Sequence, residues 1–376
     1  MQPNQRLPRR ALGRTGLSVS VLGLGGFHLV EVEQEVVSAV VETYLGAGGN
    51  YIESAVSYGD AGASERKLAR ALGSRRNQVV LASKTGERDA EGAWRELHET
   101  LEHLGTDRLD VYFFHCLQRE EELAQIAGPG GALESFLRAK EEGLIGCLGM
   151  TAHWPLLYLG GMERLPLDVI MTWVDYLDFC NYPEIPRHVI PAARERGLGV
   201  MGMKPFADGY LYRSPRLALE YALAQDVDLH VCGCNSVELV EADVRITMSL
   251  LRQDYLDTAK VLHIAPELGE YVCRQCDDCL VCGPNIDVRH IFELEGKFDR
   301  QMDDRLPHDA ADYALRCRLG RWFNNEERAQ ELYGALERKA GDCASTMTDA
   351  SCPYGVDVAR KLRLADAKLC GNVDLV

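Results

Sequence analysis

Gly49-Asn50-Tyr51-Ile52-Glu53-Ser54-Ala55-Val56-Ser57-Tyr58-Gly59 is a short apolar run that stops at a carboxylate and passes into a turn-rich loop. A few β-favouring residues bounded by Gly and Ser read as a buried strand, and the polar residue at its end is what that strand presents. The same form recurs at 21–25, 50–53, 79–84, 109–115, 145–151, 168–173, 199–203 and 229–232, separated by longer amphipathic stretches such as 93–104 and 185–196. Gly105, Gly143 and Gly197 stand where those helices would end. Eight strands alternating with helices predict an α/β chain built as a closed (β/α)8 TIM barrel rather than an open doubly wound sheet. Ahead of the first strand, residues 11–20 read as a small hairpin turning at Thr15-Gly16, placed to plug the barrel floor.

The alternation stops near residue 265, which predicts a barrel over 1–265 and a second, small, mostly helical Cys-rich domain over 266–376, with polar helical stretches at 309–322 and 325–340. With 46% hydrophobic and 26% charged residues in 376, the composition is that of an ordinary folded protein. A net charge of −16 repels a phosphate backbone, so no nucleic-acid partner is expected. Neither a secretory leader nor a membrane span is legible, and the chain reads as cytoplasmic, with a small molecule as its substrate.

In such barrels the chemistry lies at the C-terminal ends of the strands. There the sequence offers Glu53, Tyr58 in the following loop, Lys84 and His115. Brought to one mouth, they form a proton-transfer device. The ammonium eases ionisation of the phenol, the carboxylate holds the ammonium, and the imidazole orients a substrate oxygen.

These residues lie within motifs that resemble the aldo/keto reductase family: Leu12-Gly13-Arg14-Thr15-Gly16-Leu17-Ser18, the quoted 49–59 segment, Ala82-Ser83-Lys84-Thr85, Leu109-Asp110-Val111-Tyr112-Phe113-Phe114-His115 and Gly202-Met203-Lys204-Pro205-Phe206-Ala207-Asp208-Gly209. The resemblance covers the whole barrel in order. It implies hydride transfer between NADH or NADPH and a small carbonyl or alcohol, with a sugar derivative among the substrates it suggests. Tyr58 would be the proton donor, Lys84 its partner and His115 the orienting group, while Glu53 stands where the family usually has Asp. It further implies a nicotinamide contact at Thr151, where the family usually has Ser, and nucleotide contacts at Met203, Lys204, Gly233, Asn235 and Ser236. Ala152 and Met171 replace amide-bearing residues, and Met203 replaces a stacking aromatic. Three carboxylates, Glu238, Glu241 and Asp243, follow the last loop before any cation, which makes NADH at least as suitable as NADPH. Gly23-Leu24-Gly25-Gly26 lacks the third glycine of a dinucleotide fingerprint, because position 28 is His28, and reads as a turn. His153 and Trp154 follow the fifth strand and are candidates to line the pocket, while Cys147, Cys232 and Cys234 read as packing.

Four of the thirteen cysteines, Cys273, Cys276, Cys279 and Cys282, recur at intervals of three. In a reducing compartment this predicts metal ligation over disulfides, and a loop of this spacing suits an iron–sulfur cluster. Structural zinc is the alternative. The run resembles the first cluster motif of a ferredoxin-like C-terminal domain carried by some aldo/keto reductase-like proteins. The second motif is reduced to Cys343 and Cys352-Pro353, so one 4Fe-4S cluster is expected, its fourth ligand either Cys282 or Cys352. Such a cluster either holds the domain together or passes electrons to a redox partner. Two further readings stand beside the reductase: a nicotinamide-independent lyase, hydratase or isomerase reusing the Tyr, Lys and His, and a redox-sensing protein built on the cluster.

Overall fold

The computed structural model describes residues 6–276, 278, 286–302, 323, 325–342 and 352–371. Strands β1 (Arg9–Ala11) and β2 (Ser18–Ser20) form an antiparallel hairpin. The next eight strands are β3 (Leu22–Gly25), β4 (Tyr51–Glu53), β5 (Val80–Thr85), β6 (Leu109–Leu117), β7 (Ile145–Ala152), β8 (Val169–Trp173), β9 (Gly199–Met203) and β10 (Leu229–Gly233). They close into a parallel barrel in which β10 pairs with both β3 and β9. Every strand end lies within two residues of the sequence reading.

Period-two alternation sorts the side chains. Val111 and Phe113, Val169 and Met171, and Leu229 and Val231 share one buried cluster with Tyr51, Ala82 and Met201. The intervening Tyr112 and Phe114 instead stack on Phe136 of the helix Ala132–Glu141, at 4.9 and 3.9 Å between ring centres. Leu12 and Val19 from the hairpin join the interior cluster, which closes the barrel floor. The hairpin approaches so tightly that Gly13, at φ +47°, would carry a Cβ only 2.2 Å from the Gly199 nitrogen. Helix Ala90–Leu104 starts on Asp89, whose carboxylate accepts from the Gly92 N–H, and stops at Gly105 in the left-handed region at φ 59°.

Contacts gather the chain into two units. The first comprises Met1–Val174, Ile185–Pro205 and Ala222–Leu256, the second Asp175–Glu184, Phe206–Tyr221 and Asp257–Val376. The second unit is helical among the described residues, with no strand, and packs Val288, Ile291, Phe292, Tyr333, Val358, Leu362 and Leu369 from the helices Val288–Asp299, Glu326–Gly334 and Val358–Leu369. Of the polar stretch expected to be helical at 325–340, Glu326–Gly334 is a helix, while 309–322 lies outside the described residues. Within this unit Arg300 forms a two-pronged pair with Asp178 (2.8 and 2.9 Å) and a further bond to Asp208 (2.9 Å), which ties three separate segments of the chain together.

Candidate active site

Parallel pairing sets the site. Glu53 is opposite Ala82 on β5, and Lys84 is opposite Phe113 on β6, so the ends of three neighbouring strands meet. The Glu53 carboxylate pairs with the Lys84 ammonium, and both are buried. Lys84 Nζ also donates to the Ser54 carbonyl at 2.7 Å and to the Tyr58 hydroxyl at 3.3 Å. Burial pulls the pKa of Lys84 well below its ordinary value, and its paired charge is the Glu53 carboxylate. The extra methylene of Glu53, relative to the family's Asp, is accommodated with the ion pair formed.

Tyr58 is half-buried, and its loop is held from behind. Its N–H reaches Ala55 O at 3.0 Å, its carbonyl accepts from Ser64 N–H at 3.1 Å, and the Ser64 hydroxyl donates to Gly26 O at 2.8 Å. Phe27 stands edge-on to the phenol ring at 5.1 Å, and His115 does so from another side at 5.8 Å.

His115 lies where β6 departs from regular pairing. The register with β7 breaks between Phe114 and Leu117, and Cys116 takes φ +54°. Burial first, then the positive charges of Lys84, His153, Arg88 and Lys204, hold the His115 pKa well below 6.5. The imidazole is therefore neutral at pH 7, with one N–H to give.

Thr151 on β7 spends its hydroxyl oxygen on the Cys116 N–H at 2.6 Å, which leaves its own proton available. His153 lies 3.3 Å from the Cys116 sulfur through Nδ1, and its ring tilts against Trp173 at 5.5 Å. Met203 ends β9, and Lys204 follows it at φ 56°. Gly233 ends β10 beside His28, whose ring a Cβ there would meet at 2.6 Å. Asn235 donates to Glu31 at 3.1 Å, and Ser236 caps the helix Val237–Leu250, accepting from the Leu239 N–H. A capped helix start beside a close-packed glycine suits a phosphate-bearing ligand. Of the three carboxylates in this segment, Glu238 and Glu241 are exposed, but Asp243 is turned inward, where the Cys234 thiol donates to it at 3.4 Å. Burial lifts its pKa to about 6.

The structure thus brings Glu53, Lys84, Tyr58 and His115 together and sets Thr151 beside them through Cys116. Arg88 and Cys116 were missed in the sequence. Arg88 could have been found as a cation in the loop directly after a site-bearing strand, whereas nothing local marked the left-handed turn at Cys116.

Of the proposed metal ligands, Cys273 is buried in the core of the second unit, and Cys276 and Cys352 are half-buried. Burial raises the Cys273 pKa to about 11, and Cys352 packs against the same core cluster. Arg274 pins the loop between them by donating to the carbonyls of Leu268, Gly269 and Val272. Cys279 and Cys282 lie outside the described residues, and among the described residues no three or more His, Cys, Asp or Glu side chains are set to hold a metal ion. Cys147, Cys232 and Cys234 are buried, in keeping with packing.

The aldo/keto reductase family profile matches residues 21–216, just over half of the chain and the whole run of site residues from Glu53 to Lys204. The chain belongs to the aldo/keto reductase family. It is an oxidoreductase. Among its relatives, L-galactose dehydrogenase of Arabidopsis thaliana is 27% identical over 290 residues, 65% of this chain and 89% of that protein. D-threo-aldose 1-dehydrogenase of Pseudomonas sp is 25% identical over 239 residues, 54% of this chain and 71% of the other. Among solved structures, the aldo-keto reductase AKR11C1 of Bacillus halodurans superposes with a TM-score of 0.57 over 69% of this chain and 96% of its own, at 24% identity, a likeness of fold. No described helix is long and apolar enough to cross a membrane.

Proposed function

We propose that this aldo/keto reductase interconverts a small, polar, sugar-derived carbonyl and its alcohol, with Tyr58 as the proton donor and NADH or NADPH as the partner in hydride transfer. The observation that carries the reading is Lys84 Nζ bonded to the Tyr58 hydroxyl while paired with buried Glu53. A cation at 3.3 Å stabilises the phenolate left when the phenol gives up its proton, and Glu53 keeps that cation in place. Neutral His115, edge-on to Tyr58, can donate to the same substrate oxygen and orient it without competing as an acid. Thr151, with its proton unspent, suits a carboxamide oxygen, while Met203, Lys204, Gly233, Asn235 and Ser236 would hold the rest of the nucleotide. Bound NAD(P)H supplies the hydride. The sugar class is favoured by the two dehydrogenases above, which are named for sugar substrates.

The test is a titration of purified protein with NADH and NADPH followed by turnover of aldoses and simple aldehydes. Quenching by either nucleotide and a reduced or oxidised sugar are expected. Binding of neither nucleotide, or full turnover without one, overturns the reading.

We further propose one 4Fe-4S cluster on Cys273, Cys276 and Cys279, with Cys282 or Cys352 as the fourth ligand, in a cytoplasmic protein able to serve a redox partner. What supports it is the spacing of the cysteine run, together with the packing of Cys352 against the core that holds Cys273. Iron and acid-labile sulfide at about four each per chain are the expected result; zinc in their place overturns it.

A further inference from the structure

The stretch of β6 that carries His115 is out of register with β7, and in a strand a one-residue slip turns each side chain to the opposite face. Something must hold this stretch in its irregular form. On one side the Cys116 N–H is taken by Thr151. On the other the His115 carbonyl accepts from Arg88 Nη2 at 2.8 Å. Arg88 is itself anchored, with Nη2 and Nε both on Glu122 Oε1 at 2.8 and 3.1 Å. The second oxygen of Glu122 accepts the N–H groups of Gln118 and Arg119 at 2.6 and 2.9 Å, at the start of the helix Glu120–Ala127. One half-buried guanidinium, 13% exposed, therefore joins the loop after β5, the irregular stretch of β6 and the helix that follows it.

We propose that Arg88 is a positioning residue for the reaction: through the His115 carbonyl it holds the irregular turn of β6 that sets the imidazole against Tyr58. The Arg88 guanidinium reaches the site through the His115 carbonyl and is held from behind by Glu122, so it acts through His115. Its charge works in the same direction as its bond. The groups facing the imidazole are Tyr58 from the loop after β4, Lys84 from β5, Arg88, His153 after β7 and Lys204 after β9. Removing one cation from this set makes the protonated imidazole less unfavourable, and releasing the carbonyl lets the ring turn away. The proposal rests on the role given to His115 above.

The experiment compares Arg88→Ala, Arg88→Lys and Glu122→Gln with the parent by two readouts: kcat against pH, and the NMR titration of the His115 ring, assigned with His115→Asn. Arg88→Ala is expected to lower kcat about 10- to 100-fold, the scale of a small misplacement of a catalytic group. Nucleotide affinity stays at the parent value, and the His115 titration and the acid limb of kcat move to higher pH. Arg88→Lys keeps the charge and one donor and is expected to restore the titration and most of kcat. Glu122→Gln loosens the anchor and shifts both readouts less, in the same direction as Arg88→Ala. Should Arg88→Ala fail to fold, the last two variants decide. A loss of stability with kcat per folded molecule and the His115 titration both unchanged overturns the proposal. The titration is read without turnover, so a parent that reduces no carbonyl defeats the role given to His115 and still leaves the Arg88 placement decided by the spectrum.

Discussion

Both units set a lysine, a glutamate and a half-buried tyrosine in contact, and they use them in different ways. In the barrel one lysine, Lys84, serves one carboxylate, Glu53, and turns a donor to the hydroxyl of a half-buried tyrosine. In the second unit Glu295 is fully buried and receives Lys361 at 2.8 Å, Lys368 at 3.1 Å and the Tyr271 hydroxyl. Lys361 also lies 3.6 Å from the centre of the Tyr271 ring. There the phenol proton points at the carboxylate. The attraction of the lysines outweighs burial, so the Glu295 pKa falls below its ordinary value. The lesson is one of closure: a charge cluster whose donors and acceptors all face one another is a strut, whereas one that leaves a phenol oxygen at a surface can exchange a proton with a ligand.

The widest separation between the two clusters is expected from their tyrosines. Tyr58→Phe should lower carbonyl turnover about 10²- to 10⁴-fold, the range of a lost general acid, with nucleotide affinity unchanged by titration. Tyr271→Phe should leave turnover at the parent value and reduce only the unfolding free energy, by about 1–3 kcal/mol for the donor taken from Glu295. Equal kinetic losses from both would erase the distinction.

Next come the lysines. Lys84→Met strands Glu53 as a buried lone carboxylate, a loss of about 3–5 kcal/mol in denaturant unfolding, while Lys361→Met should cost less because Lys368 still faces Glu295.

The histidines sharpen the contrast by sign. His230, on β10 in the barrel, is pushed down by burial to about 3, so between pH 6.5 and about 3 the unfolded chain binds a proton that the folded chain refuses. Barrel stability should fall by about 2–3 kcal/mol from pH 7 to 4.5 on this account, and His230→Leu should remove that part of the slope in urea titrations. His290 in the second unit is raised above 6.5 by Glu293, so its contribution is present below pH 6.5 and is lost as pH rises through its folded value. His290→Gln should therefore destabilise the second unit more at pH 5.5 than at pH 8.

The smallest effect is the control. Arg95, 56% exposed and paired with Glu87, should cost less than about 1 kcal/mol as Arg95→Ala, since water screens such a pair.

Much of the barrel site was legible in advance because it hangs on strand ends. A strand advances about 3.3 Å per residue, so a polar residue closing an apolar run is delivered to the mouth by the backbone itself. Glu53, Lys84 and His115 all followed that rule, and Tyr58 followed Glu53 within one short loop. Arg88 and Cys116 did not, because their positions depend on a register change between two strands that are remote in sequence. The inward turn of Asp243 was not legible for a related reason: which face of a polar helix is turned inward is settled only when the helix is docked.

The sequence by itself determined the order and the ends of the eight barrel strands, the hairpin at the floor and the residue types at the mouth, because these follow from local periodicity and turn chemistry. Only the tertiary structure decided the distances at which Lys84 meets Glu53 and Tyr58, that His115 is kept neutral, and that segments 175–184 and 206–221 group with the C-terminal helices around Arg300. Each of these depends on distances between residues far apart along the chain and on the loss of water around them, and no local pattern encodes either.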